Sequence, residues 1–417
     1  MKKRENNRYL TQIIQELALN YQKMVFITGP RQSGKTTLCK SFLRKNESQS
    51  AYFTWDDSEF RKKWTKHPKQ LLYSADQVPL KTVVFDEIHK APKWKQTVKG
   101  IYDTRADNCN PHLFVTGSAH LNTYKKGGDS LMGRYLLFRL HPFSLGELLN
   151  PQTQCPPDQL WSHIQAQREL PQIKAQKVLD DLVRYGGFPE PYLSKNDAFA
   201  RVWRRGRVEK LVHEDLRDLS RIPELGKVDV LTALLPDRIG SPLSITSLKE
   251  DLEVSHETTK RWLDYLQALY YYFEIKPWTK NISRSLKKEG KPYLWDWSEI
   301  SDDKTGEKFE NLMACHLLKA CHFWTDSGYG TFALHYLRNK EKKEIDFLIV
   351  KDKKPWLPIE CKYADTHISP SFNSFLHHLG VKQFIQVVYT PHVFSTVKVG
   401  DSEGLLLSAS YLLSQLP

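Results

Sequence analysis

Gly29-Pro30-Arg31-Gln32-Ser33-Gly34-Lys35-Thr36 is the stretch on which the reading of this chain turns. Its spacing is G-x-x-x-x-G-K-[ST], in which glycines let backbone N–H groups close around an anion and a lysine and a hydroxyl follow at the start of a helix. Before it, Met24-Val25-Phe26-Ile27 is an apolar run suited to a buried strand. After it, Thr37-Leu38-Cys39-Lys40-Ser41-Phe42-Leu43 carries apolar residues at helical spacing. Strand, loop and helix in that order is the context the motif requires. The loop amides and the helix N-terminus would cradle phosphates, Lys35 would reach the β/γ-phosphates and the Thr36 hydroxyl would hold Mg²⁺. ATP and Mg²⁺ are therefore the expected ligands, with Gly29 through Thr37 as the expected nucleotide contacts.

Two further apolar runs extend this site. Thr82-Val83-Val84-Phe85-Asp86-Glu87 ends in two carboxylates. Asp86 is expected in the Mg²⁺ shell, and Glu87 beside the γ-phosphate, placed to polarise an attacking water. His112-Leu113-Phe114-Val115 ends in Thr116-Gly117-Ser118, whose polar end is placed to bond the water or the γ-phosphate. Tyr135-Leu136-Leu137-Phe138 is another strand, preceded by Gly133-Arg134. Arg134 is the first candidate for a catalytic or sensing arginine and Arg139 the second, with an ordinary surface arginine the alternative to both.

A chain of 417 residues has room for several domains, each with its own core. With 40% hydrophobic and 26% charged residues it reads as globular rather than disordered. A net charge of +13 points to an anionic partner, nucleic acid (DNA before RNA) ahead of an acidic membrane surface. No apolar run approaches the roughly 20 residues of a membrane span, so no membrane partner is expected. Met1-Lys2-Lys3-Arg4-Glu5-Asn6-Asn7 lacks the apolar segment of a secretory signal. Six cysteines without C-x-x-C spacing read as reduced thiols, and a cytoplasmic location is the expectation. Cys315-His316 and Cys321-His322 fall on a helical pattern that separates them by face or by two turns, so they read as packing residues.

The alternation of strands and helices predicts a mostly parallel α/β sheet over residues 1–149. Residues 150–222 read as a helical lid or connector, interrupted at Tyr185-Gly186-Gly187-Phe188-Pro189. Over 223–290, three helices followed by a strand give the order of a winged helix, with Ser255 as N-cap of the third. Thr258, Thr259, Lys260 and Arg261 stand where a recognition helix would meet DNA; the alternative is a packing module between domains. In 291–417, Asp346 opens an apolar strand and Ile359-Glu360-Cys361-Lys362 lies on the next, with Glu310 on an upstream helix. Glu360 and Lys362, two apart on a strand, point to one face. This is the PD-(D/E)XK nuclease arrangement, in which Glu310, Asp346 and Glu360 would hold a metal ion and Lys362 would assist water attack. A decayed nuclease fold is the open alternative.

Taken together, Gly29 to Thr37, Phe85-Asp86-Glu87-Ile88-His89, Val115-Thr116-Gly117-Ser118, Gly133-Arg134, Tyr185 to Pro189, Glu344-Ile345-Asp346 and Ile359-Glu360-Cys361-Lys362 resemble a prokaryotic family of AAA-like ATPases. That family is often grouped with the archaeal-type ATPases. Its members carry a P-loop domain, a winged helix and a restriction-endonuclease-like domain of unknown function. The resemblance implies an additional-strand-class sheet of order 5-1-4-3-2 with Glu87 as the catalytic glutamate. It leads to the expectation of an ATP-hydrolysing protein acting on nucleic acid, with metal-dependent DNA cleavage open. The alternative is a nucleotide-dependent switch or regulator signalling to a protein partner, with a decayed nuclease domain; a homo-oligomer or a protein partner is the further expectation.

Overall fold

Five apolar runs in the first third of the chain form one parallel sheet: β1 (Met24–Thr28), β2 (Ser50–Thr54), β3 (Thr82–Asp86), β4 (His112–Thr116) and β5 (Tyr135–Arg139). Their order is β5-β1-β4-β3-β2, which is the order that the family resemblance implies. The computed structural model describes residues 8–106, 108–117, 131–151, 155–170, 172–219, 224–279 and 288–417, so Ser118 lies outside the described residues. The chain divides into two compact units, Met1–Pro142 and Phe143–Pro417.

In the first unit, β1 and β3 are buried at every position, as central strands of a parallel sheet covered on both faces must be. One face packs Phe26 and Phe85 against Trp64, Trp94, Val98 and Ile101. Helix α1 (Lys35–Leu43) buries Leu38, Cys39 and Phe42, with Phe42 against Phe114 at 4.9 Å between ring centroids. Thr28, Asp86, Thr116 and Arg139 end their strands along one edge of the sheet. Parallel pairing dictates this, and α1 starts from the same edge. Gly29 belongs there for steric reasons: it has φ +147°, and a Cβ would sit 2.1 Å from the Leu140 carbonyl oxygen.

The second unit begins with helices, among them α2 (Ile173–Tyr185) and α3 (Asp197–Lys210). α2 stops at Gly186, φ +80°, where a Cβ would meet Asp296 Oδ1 at 2.5 Å. Then come α4 (Leu225–Leu234), α5 (Ile245–Leu252) and α6 (His256–Ala268), followed by the antiparallel pair β6 (Tyr272–Ile275) and β7 (Lys291–Leu294). Ser255 caps α6 by accepting from Thr258 N at 3.1 Å. The 22-residue helix α7 (Thr305–Asp326) leads to β8 (Phe332–Arg338), β9 (Glu344–Lys351) and β10 (Lys354–Lys362). After α8 (Ser371–Leu379) come β11 (Gln383–Val388), β12 (Phe394–Val399) and β13 (Ser402–Ser408). The mixed sheet runs β12-β13-β11-β10-β9-β8, with pairing parallel between β13, β11 and β10 and antiparallel on either side.

Candidate functional site

The phosphate loop folds around Lys35. Burial pushes the Lys35 pKa down to about 8, against the opposing pull of Glu87 and Asp86. Its ammonium donates to the carbonyls of Gly29 at 2.9 Å and Pro30 at 2.7 Å. These two bonds hold the side chain along the loop whose amides would receive phosphate. Asp86, at the end of β3, collects hydroxyls: Thr36 Oγ1 donates to Oδ2 at 2.7 Å, Tyr52 OH to Oδ2 at 2.5 Å, and Thr116 Oγ1 to Oδ1. Hard oxygen ligands suit Mg²⁺, and the Thr36 hydroxyl and Asp86 carboxylate stand side by side as such a pair. The sequence groups Thr36, Asp86 and Thr116 at one site, and the structure brings all three together. Tyr52 joins them unannounced, because nothing in the sequence fixes which β2 side chain faces β3.

Glu87 takes φ 54°, which turns the chain sharply out of the strand behind Asp86. Its Oε2 is buried and accepts no hydrogen bond, although His89 Nε2 lies 3.7 Å and Lys90 Nζ 3.9 Å away. Burial, with Asp86 adding to it, raises the Glu87 pKa above the ordinary glutamate value, while Lys35 works in the other direction. A buried carboxylate oxygen that lacks a hydrogen bond is costly and has acceptor capacity left for another partner. Within the loop, Gln32 and Thr37 are exposed, Arg31 and Thr36 are half-buried, and Gly29, Pro30 and Ser33 are buried.

The two arginine candidates separate. Arg134 precedes β5, at the edge of the sheet opposite the phosphate loop, and a five-residue strand spans about 17 Å. There it pairs bidentately with Asp103, at 2.6 and 2.9 Å. Arg134 thus does not reach the loop of its own chain. Arg139, paired in register with Thr28, stands at the loop edge.

Arg8 was not singled out by its sequence. Only 7% exposed, it donates through Nη1 to the Ser33 carbonyl at 2.6 Å and through Nη2 to the His141 carbonyl at 2.7 Å. Neighbouring Tyr9 donates to the Arg139 carbonyl at 2.6 Å and accepts from His141 N at 3.1 Å. Together they tie the phosphate loop to the segment that follows β5.

In the second unit, Glu310, Asp346, Glu360 and Lys362 lie in one cluster. Asp346 N donates to Glu360 Oε2 at 3.2 Å, Asp346 Oδ2 accepts from Cys361 N at 2.9 Å, and Lys362 pairs with Glu360 at 2.9 Å. The unexpected member is Lys291, the first residue of β7. Its ammonium is 3.3 Å from Glu310 Oε1 and 3.7 Å from Asp346 Oδ1, and it also pairs with Glu344. Burial disfavours the Lys291 charge, but Glu310, Asp346 and Glu344 outweigh it and raise its pKa. Burial, with Asp346 adding to it, pushes both Glu310 and Glu360 up to about 7. Among the described residues, no group of three or more histidines, cysteines, aspartates and glutamates is disposed to hold a metal ion. Of the residues read as metal ligands, Glu310 and Asp346 gather with Glu344 around Lys291, and Glu360 pairs with Lys362.

On α6, Lys260 and Arg261 are exposed, whereas Thr259 is fully buried and donates to the Ser255 carbonyl at 3.1 Å. Thr259 is thus removed from the candidate contact surface. His316 is buried, accepts from Leu145 N at 3.1 Å and is kept neutral by burial, with a pKa of about 3. It is a packing residue, as the helical spacing predicts.

Comparison with known proteins matches residues 21–149 to a family described as an AAA domain. The N-terminal unit carries an AAA-like P-loop domain. Residues 176–298 and 305–399 match two families described only as domains of unknown function, DUF8612 and DUF4143. An uncharacterised protein of Methanocaldococcus jannaschii is 23% identical over 94% of this chain and 88% of its own length. One from Mycobacterium tuberculosis is 23% identical over 94% and 83%. Among solved structures, the chain is similar to the RuvB Holliday junction branch migration motor of Thermotoga maritima (16% identity, TM-score 0.28, 63% of this chain and 88% of that one). It is also similar to AMPPCP-bound DnaA of Aquifex aeolicus (13% identity, TM-score 0.29, 62% and 86%). No helix among the described residues is long and apolar enough to cross a membrane.

Proposed function

We propose that this protein binds and hydrolyses ATP and couples the cycle to nucleic acid, DNA before RNA. The observation that carries the reading is the buried Glu87 Oε2, which accepts no hydrogen bond, next to Asp86, in a unit whose phosphate loop holds a buried Lys35. Thr36 and Asp86 would hold Mg²⁺, which when bound offsets phosphate charge. Lys35 would leave the Gly29 and Pro30 carbonyls and donate to phosphate oxygens instead. Glu87, once ionised, would accept a hydrogen bond from the attacking water and take up its proton as the water oxygen bonds to the γ-phosphorus and the bond to the β,γ-bridging oxygen breaks, releasing ADP and phosphate. Arg139 is the arginine placed at the loop edge to meet developing charge.

The nucleic-acid half rests on the +13 net charge and on the run of three helices and an antiparallel pair with Lys260 and Arg261 exposed on the third helix. We assign 1–149 to the ATPase core, 150–222 to a connector, 223–290 to a winged helix and 291–417 to a nuclease-like domain. The test is ATP turnover by the full chain with and without duplex DNA. At least severalfold stimulation is expected, and turnover indifferent to DNA and RNA would remove the nucleic-acid half. A second reading, a nucleotide switch with a decayed nuclease domain, is favoured by one observation, the lysine inside the carboxylate cluster.

A further inference from the structure

Lys291 stands among the carboxylates of the second unit's acidic cluster. Its side chain is 1% exposed, and three carboxylates, from Glu310 on α7 and from Glu344 and Asp346 on β9, converge on its ammonium. Several oxygens of the cluster also have other protein partners. Tyr293 OH donates to Glu310 Oε1 at 2.7 Å, Cys361 N to Asp346 Oδ2 at 2.9 Å, and Asp346 N to Glu360 Oε2 at 3.2 Å, while Lys362 pairs with Glu360 Oε1 at 2.9 Å. Lys291 is itself fixed, because β7 pairs with β6 along its length and sets Lys291 opposite Ile275.

We propose that the Lys291 ammonium is the resident cation of this cluster and takes the place of a divalent metal, so that the C-terminal domain is a metal-independent module that does not cut nucleic acid. This rests on the nuclease-like reading of residues 291–417. A divalent ion bound by Asp346 and Glu310 would share their oxygens with a buried ammonium, and like charges that close in a site with little water repel strongly. The substitution also changes the chemistry available. An ammonium offers three N–H donors and no empty coordination position, so it neutralises carboxylates without acidifying a bound water as a Lewis acid does. A lysine at this point neutralises the carboxylates while removing the means of activating water.

The test is Mn²⁺ binding to the full-length, nucleotide-free protein, followed by electron paramagnetic resonance. Mn²⁺ uptake by wild type and by Asp346→Asn should coincide, any shared signal belonging to the phosphate loop. Lys291→Met should gain one Mn²⁺ per chain, bound at least tenfold tighter than any C-terminal site in wild type, and Lys291→Met with Asp346→Asn should lose it. Wild-type Mn²⁺ binding that disappears in Asp346→Asn would overturn the proposal and leave the nuclease-like reading standing. No gain in folded Lys291→Met would overturn both. Should Lys291→Met fail to fold, comparing wild type with Asp346→Asn and Glu360→Gln decides: coincident uptake supports the proposal, and loss in either variant overturns it.

Discussion

Arg8 donates a hydrogen bond to the carbonyl of Ser33 at 2.6 Å, across 25 positions of sequence, and so holds the phosphate loop from outside the motif. Its second bond, to the His141 carbonyl, makes one guanidinium bridge the loop and the segment after β5. A planar fork with fixed donors suits that bridge, and lysine would not replace it.

Arg8→Ala should therefore loosen the loop without touching the nucleotide chemistry. Each buried charge-assisted bond contributes roughly 1.5–3 kcal/mol, so a loss of about 3 kcal/mol in folding stability is expected. Denaturant unfolding checks this. The KM for ATP should rise while kcat changes less. Unchanged stability and KM would show that the bridge is dispensable.

Lys35→Ala and Glu87→Gln should separate binding from hydrolysis. Removing Lys35 deletes a buried cation, and a loss of about 3 kcal/mol, or roughly 100-fold in ATP affinity, is expected. Glu87→Gln leaves the cradle intact and removes the acceptor for the water proton, so affinity should persist while kcat falls by about 10²–10⁴. Fluorescent-nucleotide binding and single-turnover hydrolysis measure the two effects. Turnover like wild type in Glu87→Gln would displace Glu87 from its role.

The pH dependence of kcat/KM should be bell-shaped. Glu87 acts as the carboxylate, and its pKa is raised in the folded protein, so activity should be lost as pH falls through a value above the usual glutamate range. Lys35 acts as the ammonium and its pKa is lowered to about 8, so activity should fall again above about pH 8 in the free enzyme. Profiles of kcat/KM against pH for wild type check both limbs. An acid limb at the ordinary glutamate pKa would contradict the burial argument.

Nucleic-acid affinity should fall steeply with salt and show weak sequence preference, because phosphate contacts release counterions. Lys260→Glu combined with Arg261→Glu should reduce the slope of log affinity against log salt by about 2, one for each lost phosphate contact. Fluorescence anisotropy over a salt series gives the slope. An unaltered slope would move the interface away from α6.

Locally encoded features were legible in the sequence. The phosphate loop, the strand ending in Asp86 and Glu87, and the Ser255 cap depend on neighbours within a few residues, where side-chain type and spacing set backbone geometry. The sheet order came from the family resemblance rather than from spacing. Tertiary structure alone decided the rest. Which end of β5 meets the loop separates Arg139 from Arg134, and parallel pairing sets that in space, not in the motif. Arg8, Tyr52 and Lys291 entered their sites through pairings 25, 34 and at least 19 residues long, for which the sequence carries no periodic signal. The Glu-x-Lys spacing placed Glu360 and Lys362 on one face, but the cation among Glu310, Glu344 and Asp346 arrives on β7, a strand outside the motif. A motif specifies the ligands a site can offer, and only the packing of distant elements settles which charge they receive.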